Sequence, residues 1–461
     1  MAISPQVLII GHDLPGLMAA YYLHTQGKRV AILDDPHLHQ EVQISENLMS
    51  SSSRDPLESS RSQLSTFSYP LALPGILPSF LSLLENLTPS TSTAFSRHFS
   101  VEVATLQGKP FRFRPLPFPI PSPWLLEFLR FGKIPLGSRW RFANYLEKIW
   151  EGRLALPPNL DSISADSWLS SCEQCPTARH ILWNPLCHFL LGHHPTHISA
   201  QAFTQALLNS YLTSPGHTTI SWFLQDVDRM LTTPLRQELG KMGIPILNHL
   251  QVDSLVVNSS RVTGIRDTHG KLLQADWYLL NLRPHNLLSL IPERQLAKYS
   301  YFYNLQNLSD TSTLTIQLQV PMPHTRPRVI LTQGDFDWVI LSKGPTDAPA
   351  MTQVTMVARG HPELMSYSNL KLLDLALHHL QQFFPQLRIP STQHDNLSYR
   401  LIREPTGLFL TKPGSLVWRP APLGPISNLL LMGDWTDVSA PPGIQGAVIS
   451  ANLCAQQVLA Q

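Results

Sequence analysis

The stretch Val7-Leu-Ile-Ile-Gly-His-Asp-Leu-Pro-Gly16 decides the fold. Its four consecutive apolar residues predict a strand buried on both faces, and the glycine that follows predicts a tight turn. Apolar residues at helical spacing over Leu17–Leu23 predict a helix that ends at Gly27. A second apolar run, Arg29–Leu33, predicts the next strand. The order of strand, turn, helix and strand is typical of a βαβ unit in a parallel sheet.

Two glycines and an acidic residue in this unit indicate a dinucleotide site. Gly11 and Gly16 occupy the first and third glycine positions of a G-x-G-x-x-G pattern, where the turn is tight and the helix approaches the strand. Asp34 ends the second strand and is placed to hydrogen-bond ribose hydroxyls. Asp13 replaces the second glycine, and would repel a pyrophosphate at ~4 Å by about 1 kcal/mol in water or about 4 kcal/mol at an effective dielectric of ~20. A strand–helix unit that has lost its ligand is the alternative.

The other end of the chain has a second strand–turn–helix arrangement. The apolar run in Asn428-Leu-Leu-Leu-Met-Gly-Asp-Trp-Thr436 ends at Gly433 and Asp434, and Ala440-Pro-Pro-Gly-Ile-Gln-Gly446 leads into a helix over 447–459. A helix N-terminus stabilises negative charge by about 0.3–1 kcal/mol, which suits the edge of a reduced flavin. Asp434 is placed to bind the ribityl or pyrophosphate region. The sequence therefore predicts FAD as the cofactor, and a C-terminal helix that only packs is the alternative.

The composition excludes several classes of protein. The 461 residues are enough for a large core, and 34 Lys+Arg against 32 Asp+Glu give a net charge of +2, which argues against nucleic acid as a partner. Charged residues make up only 14% of the chain, against about 25% in ordinary proteins. A disordered chain, a coiled coil and a collagen-like fibre are excluded. A large globular protein with a weakly charged surface remains, and no apolar run is long enough to predict a transmembrane helix.

The four cysteines form no disulfide framework, which suits a reducing compartment. Cys172 and Cys175 form a C-x-x-C pair, and Cys187 lies nearby with five histidines between His180 and His197. A structural zinc site needs four ligands, usually as two paired clusters, and the second pair is ambiguous here. We therefore expect ordinary buried side chains and predict no metal site.

Together these features resemble the flavin-dependent amine oxidase and phytoene desaturase superfamily. Gly433-Asp-Trp-Thr436 followed by Gly443-Ile-Gln-Gly-Ala-Val448 is similar to its C-terminal FAD motif. Within the superfamily the chain most resembles the squalene-associated branch, the hydroxysqualene dehydroxylases of hopanoid synthesis. That similarity is carried by Leu182-Trp-Asn-Pro-Leu-Cys187, by Tyr278-Leu-Leu-Asn-Leu-Arg-Pro284 with Ile291-Pro292, and by Leu401-Ile-Arg-Glu404 through Arg419-Pro420.

The resemblance implies an α/β fold in which a Rossmann-type FAD-binding domain is interleaved with an α+β substrate domain, as in amine oxidases. We assign 1–105, 245–300 and 400–461 to the FAD-binding domain. The substrate domain then comprises 106–244 and 301–399, partly helical with a mixed sheet.

The cofactor contacts that the resemblance implies are Gly11, Asp13, Leu14, Gly16, Asp34, Val252, Gly433, Asp434, Gly443, Ile444 and Gln445. The family follows its ribose-binding acid with an Arg-x-Gly-Gly-Arg stretch, whereas this chain has Asp35-Pro-His-Leu-His39, and Arg283 stands where the family tends to have proline. Two interpretations are open. Either FAD is held differently, with Arg54 or Arg61 supplying charge, or the chain is a diverged, non-catalytic paralogue that binds an isoprenoid or partner proteins.

The resemblance further implies an oxidoreductase that acts on a long, lipophilic isoprenoid with an electron donor or acceptor as a partner. In the dehydroxylase branch, reduced FAD would deliver hydride to an allylic carbon of hydroxysqualene as hydroxide leaves, giving squalene. A carotenoid desaturase, which oxidises its polyene, is the alternative. No catalytic residue is assigned.

A C30 chain needs an apolar tunnel and an entrance from a membrane. We predict Trp124, Phe128, Trp222 and Phe223 as tunnel residues. The apolar helix predicted at Trp124–Phe131 either packs in the core or lies on a membrane surface. We expect a cytoplasmic protein with peripheral contact on the inner face of the membrane.

Overall fold

The computed structural model describes residues 5–38, 42–47, 72–74, 95–98, 101–104, 111–113, 129–130, 132–155, 157–208, 220–223, 231–248, 250–321, 328–343, 351–384, 397–438 and 440–461. The α-helices of these residues are α1 Leu14–Thr25, α2 Leu136–Trp150, α3 Ala165–Ser171, α4 Pro176–Ala178, α5 Asn184–Leu191, α6 Ala200–Leu207, α7 Thr233–Lys241, α8 Pro284–Leu290, α9 Glu293–Lys298, α10 Ser300–Tyr303, α11 Asn369–Phe383 and α12 Ile444–Leu459.

The strands fall into four sheets. They are β1 Val7–Ile10, β2 Val30–Asp34, β3 Gln43–Asn47, β4 Ala72–Pro74, β5 Phe95–His98, β6 Val101–Val103, β7 Phe111–Phe113, β8 Ile220–Phe223, β9 Ile246–Asn248, β10 Val252–Asn258, β11 Arg261–Asp267, β12 Leu272–Leu273, β13 Trp277–Asn281, β14 Asp310–Pro321, β15 Arg328–Leu331, β16 Trp338–Lys343, β17 Met351–Arg359, β18 Tyr399–Phe409 and β19 Leu429–Met432.

Five parallel strands form one sheet, in the order β19-β13-β1-β2-β9. Val7 and Ile9 of β1 pack with α1 and α12 on one face. Leu8 and Ile10 pack on the other face with the β10–β11 hairpin and α8. Burial on both faces explains the unbroken apolar run of β1. This is the Rossmann-type α/β arrangement that the sequence predicted, and it positions the turns after β1 and β19.

Eight strands form the larger, mixed sheet, in the order β3-β18-β14-β17-β16-β15-β6-β7. Alternate residues of β16 point to opposite faces of this sheet. Trp338 and Ile340 pack with helices α2, α3, α5 and α6, while Val339 and Leu341 pack with α11. A sheet covered on both sides again makes a two-sided core. The helical layer and this sheet together correspond to the region predicted as α+β.

Strands from the segments assigned to the predicted FAD-binding domain also belong to the larger sheet. β3 pairs with β18, and β6 pairs with β15, so both belong to the larger sheet although 1–105 was assigned to the FAD-binding domain. The boundary at 400 falls inside β18. Short strands pair with edges contributed by remote parts of the chain, and local patterns do not show which edge that is. The two-domain division therefore stays a proposal.

Candidate cofactor site

The turn between β1 and α1 requires both of its glycines. A Cβ on Gly11, whose φ is +104°, would lie 2.4 Å from the carbonyl oxygen of Asn281, and a Cβ on Gly16 would lie 2.2 Å from the carbonyl oxygen of Gly11. Both clashes involve backbone atoms, which cannot rotate aside. Leu14, the first residue of α1, is fully buried. The turn thus directs the backbone N–H groups at the start of α1 toward the carboxyl edge of the parallel sheet.

The acidic side chains near this turn have protein partners. Asn281 Nδ2 donates a hydrogen bond to Oδ1 of Asp13. His12 Nδ1 lies 2.8 Å from Oδ1 of Asp34, and these two side chains are only 5% and 3% exposed. A ribose hydroxyl that binds Asp34 therefore meets a carboxylate that His12 already orients. The sequence prediction missed His12 because nothing in its spacing distinguishes it from an ordinary turn residue.

Val252 is the first residue of β10, which belongs to a different sheet from β2. Its backbone N–H donates to Oδ2 of Asp35 at 2.7 Å, and Oδ1 of the same carboxylate accepts the N–H of His37 at 2.9 Å. Asp35 thus fixes the segment after β2 against β10. The predicted cofactor contact at Val252 concerns a residue whose N–H is already hydrogen-bonded.

The turn between β19 and α12 is built around Asp434. Its Oδ1 accepts from Arg283 Nη1 at 2.8 Å, and its Oδ2 accepts the backbone N–H groups of Gly443 at 3.0 Å and Phe409 at 3.3 Å. A Cβ on Gly433 would lie 2.3 Å from Nε1 of the buried Trp435. Ile444 and Gln445, which open α12, are buried as well. Asp434 therefore joins the end of β19, the start of α12 and β18.

Arg419 holds the backbone of this second turn. Its guanidinium donates to the carbonyl oxygens of Asp434 at 3.0 Å, Thr436 at 2.5 Å and Trp435 at 3.4 Å. Ser450 of α12 accepts the N–H of Gly433 at 3.2 Å and is 2.8 Å from the Thr436 hydroxyl. The sequence prediction placed Arg419 only as a lead-in to the last strand. Its structural role is to donate to three carbonyl groups of this turn.

Arg283 is the positive centre between the parallel sheet and the larger sheet. It donates to Asp434, to Asp310 at 3.3 Å and to the Gly407 carbonyl oxygen at 3.1 Å. Burial lowers the pKa of Arg283, but Asp434, Asp310, Asp13 and Glu404 together outweigh that effect and raise it. Burial raises the pKa of Asp310 to about 6, although Arg283 opposes the shift.

Both turns lie at the same edge of the parallel sheet, because β1 and β19 run parallel on either side of β13. Open parallel sheets bind dinucleotides in the crevice outside this edge. The residues present fit FAD there: bare glycines, two helix N-termini and a buried guanidinium face the same region. Asp13 is the mismatch, and Asn281 and the nearby charge of Arg283 reduce it.

The predicted tunnel residues are only partly visible. Trp124 and Phe128 lie outside the described residues, as do Arg54 and Arg61. Trp222 and Phe223 lie on β8, which pairs with β4 and β5 in a small sheet. A cavity of about 470 Å³ adjoins the second turn and is lined by both apolar and polar residues, including Leu191, Ala202, Gln205, Arg419, Asp437 and Pro441.

Cys172 and Cys187 have the properties of packed, protonated thiols. Burial raises the pKa of Cys172 to about 11 and raises the pKa of the fully buried Cys187 well above its ordinary value. Cys175 Sγ accepts the N–H of Ala178 as the cap of α4. A metal ligand must be a thiolate, so these environments disfavour ligation by Cys172 and Cys187.

A parallel sheet with one glycine turn after β1 and another after β19 is typical of dinucleotide-binding proteins. The family model described as flavin containing amine oxidoreductase matches residues 72–459, and the chain belongs to this family. It is accordingly an FAD-dependent oxidoreductase with an amine oxidase-like fold.

Several individual proteins are similar to this chain, with sequence identities of 16–22%. The 15-cis-phytoene desaturase of Synechococcus elongatus is 22% identical over 355 residues, which covers 73% of this chain and 70% of that protein. The 15-cis-phytoene desaturase of an Oncidium hybrid is 22% identical over 371 residues, covering 77% of this chain but 63% of the relative. The structure of cyclohexylamine oxidase from Brevibacterium oxydans superposes with a TM-score of 0.67 at 16% identity, over all of both chains.

No helix among the described residues is both long and apolar enough to cross a bilayer.

Proposed function

We propose that the crevice between the two turns binds FAD, with Gly11, Gly16 and Asp34 contacting the adenosine and pyrophosphate part. Leu14, Asp13 and Val252 complete that half. Gly433, Asp434, Gly443, Ile444 and Gln445 form the flavin half. Bound there, the cofactor supplies hydride transfer. The observation that supports this assignment most strongly is Asp434, whose buried carboxylate accepts from Arg283, from the backbone N–H of Gly443 at the start of α12 and from the backbone N–H of Phe409 in β18.

The protein's own contribution is electrostatic. Arg283 and the N–H of Gly443 at the start of α12 orient the Asp434 carboxylate before any ligand arrives, so a group that binds Asp434 in the crevice requires little reorganisation. Arg283 also lies near enough to Asp13 to offset its negative charge. In the family, a glycine-rich stretch contacts the pyrophosphate instead. This supports the first interpretation of the sequence, in which FAD is held differently, over a chain that has lost its cofactor.

We further propose a long, linear isoprenoid as the substrate class. The support comes from relatives whose names state that they act on phytoene, over about three quarters of this chain. The sequence similarity to the squalene-associated branch favours one reaction: an allylic C–OH bond of hydroxysqualene breaks, hydroxide leaves, and a hydride from the reduced cofactor replaces it, so that squalene forms and the cofactor is oxidised. Desaturation of a carotenoid precursor is the second candidate, favoured by the names of the curated relatives.

The remaining parts of the function are proposals on the same basis. An isoprenoid of this length partitions into bilayers, so we propose peripheral contact with the inner face of the membrane from a cytoplasmic location. An electron donor or acceptor is then required in each turnover. The low fraction of charged residues, 14%, is compatible with such a surface.

The substrate proposal is tested by anaerobic single-turnover assays on the purified full chain. Reduced protein is mixed with hydroxysqualene, and oxidised protein is mixed with phytoene, both in detergent micelles. Squalene formed in proportion to the flavin present supports the dehydroxylase, and new conjugated double bonds support the desaturase. Turnover of neither polyene, with flavin bound, contradicts the isoprenoid proposal.

The cofactor proposal is tested by flavin occupancy. Asp434→Ala is compared with Asp437→Ala, which removes an exposed carboxylate three residues further along the same turn. We expect the native protein and Asp437→Ala to purify with bound flavin absorbance, and Asp434→Ala to lose most of it. Full occupancy in Asp434→Ala would reject the site, and a colourless native protein that takes up no FAD would favour the non-catalytic paralogue.

A further inference from the structure

Three side chains from separate elements meet away from both turns. His188 lies on α5, Asp337 precedes β16, and His361 follows β17. One ligand atom of each residue lies within 4.8 Å of the other two. The side chains are buried, with 12%, 6% and 23% exposure. None of the three belongs to the proposed flavin contacts.

Asp337 is held in one orientation. Its Oδ2 accepts the backbone N–H of Arg359 at 2.6 Å, and its own N–H donates to the Val357 carbonyl oxygen at 2.8 Å. Its Oδ1 faces the two imidazoles, 2.9 Å from His188 Nδ1 and 3.4 Å from His361 Nε2. One carboxylate oxygen is thus fixed by the sheet, and the other is directed into the space between the histidines.

The imidazoles are arranged like metal-binding histidines whose rings are oriented by further hydrogen bonds. Nδ1 of His188 is buried and lies 2.9 Å from Oδ1 of Asp337. His361 presents Nε2 to the cluster while its Nδ1 lies 3.3 Å from the carboxylate of Glu363. A carboxylate behind a ligating histidine fixes the tautomer and orientation of the ring in many metal sites.

We propose that His188, Asp337 and His361 form a binding site for a divalent transition metal, with zinc as the preferred ion. Two imidazoles and a carboxylate oxygen are a donor set that zinc takes, and it leaves the fourth position for water. Ligand atoms around a tetrahedral ion with bonds of ~2.0 Å lie about 3.3 Å apart, which matches the two separations measured at Asp337. The cluster carries one negative charge to offset the ion.

The segment that carries His361 packs closely against the end of α5. Gly360, whose φ is +73°, lets the segment before His361 pack directly on His193, since a Cβ there would lie 2.7 Å from Cδ2 of that ring. The His193 ring is itself 6.4 Å from that of His188. An ion bound here would tie α5 of the helical layer to the strand ends of the larger sheet. Of the five histidines between His180 and His197, His188 is the one that belongs to the proposed site.

The test is a Co²⁺ and Zn²⁺ titration of the chelator-treated full chain. Co²⁺ bound by two imidazoles and one carboxylate in four-coordination gives intense visible absorption, and Zn²⁺ should displace it at one equivalent. We expect Asp337→Asn to weaken binding by about 100-fold and Glu363→Gln by about tenfold. His378→Gln removes an exposed histidine of α11 and should change nothing.

His361→Gln is the second ligand variant, because it keeps the Asp337 carboxylate and its backbone hydrogen bond. Circular dichroism of each variant without metal must match that of the native protein. If Asp337→Asn fails this criterion, His361→Gln alone decides. Cobalt absorption that is absent from the native protein, or that persists unchanged in the folded ligand variant, overturns the proposal. The readout does not depend on flavin content or turnover, so it stands apart from the proposed function.

Discussion

The turns after β1 and β19 are both strand–glycine–helix connections at one edge of one sheet, yet they use acidic residues differently. In the first turn, Asp34 is paired with a histidine, and Asp13 with an asparagine amide. In the second turn, Asp434 is paired with a buried arginine and two backbone N–H groups. The acidic residues at the first turn pair with an amide and a histidine, whereas Asp434 of the second turn pairs with the guanidinium of Arg283. Arg236 also brings a permanent charge to the first turn, but it donates to the carbonyl oxygen of His12 and not to a carboxylate.

Removal of Arg283 should have the largest effect on the second turn. Arg283→Met leaves the Asp434 and Asp310 carboxylates without their buried cation, and breaking a buried pair typically costs about 3–5 kcal/mol. Urea unfolding measures the change. Arg294→Met, at an exposed position of α9, is the control and should alter the free energy of unfolding by less than about 0.5 kcal/mol. Equal effects of the two variants would show that Arg283 does not organise the turn.

Asp310 should make this same region sensitive to pH. Its pKa in the folded protein is about 6, above the ordinary value of 3.8, so the folded state holds the proton more tightly than the unfolded state. The stabilisation is complete below pH ~4 and is lost as the pH rises through ~6, a change of about 3 kcal/mol for this shift.

Asp310→Asn tests that sign. The amide cannot ionise, so the fall in unfolding free energy between pH 4 and pH 6.5 should shrink by about 2 kcal/mol relative to the native protein. Asp335→Asn, an acidic residue in the turn before β16, is the control and should keep the native pH profile. A native-like slope in Asp310→Asn would mean that another carboxyl group is responsible.

The first turn depends on backbone contact more than on charge. Gly16→Ala places a Cβ against the carbonyl oxygen of Gly11 and should cost about 2–3 kcal/mol, with loss of flavin occupancy. Gly137→Ala is the matched helical control: nothing lies within 4 Å of a Cβ there, so the variant should be unchanged or more stable by up to about 1 kcal/mol. Thermal unfolding distinguishes them, and a stable Gly16→Ala would contradict the close helix–strand approach.

The smallest effect is expected at Ser450. Ser450→Ala removes the acceptor of the Gly433 N–H, and a buried donor left unpaired costs about 1–2 kcal/mol. Ser427→Ala, at an exposed hydroxyl just before β19, should cost less than about 0.5 kcal/mol. If both serines behave alike, the second turn does not depend on the bond from α12.

Local pattern was sufficient for the elements that carry the turns. The apolar run of β1 and the glycine turn after it follow from residues next to one another in the chain, and both were predictable. The helix predicted over Leu17–Leu23 falls within α1, and the apolar run predicted as a strand before Gly433 corresponds to β19.

Features that depend on remote pairing were not predictable. Arg283 and Asp434 are 151 positions apart, and Asp337 is 149 positions from His188. No single-sequence spacing rule connects residues at such distances, because the topology of two sheets decides which of them meet. The departure of Arg283 from the family pattern was visible in the sequence, but its partners were not.

The order of the parallel sheet has a consequence for how the chain is made. Val7 of β1 pairs with Trp277 of β13, which is synthesised 270 positions later, and at about 5–20 residues per second that interval is roughly 14–54 s. The helix that packs beside α1, α12, emerges last. Until β13 has been synthesised, the entirely apolar strand β1 lacks its β13 partner. The yield of folded protein should therefore depend on chaperones that prevent aggregation of the incomplete chain.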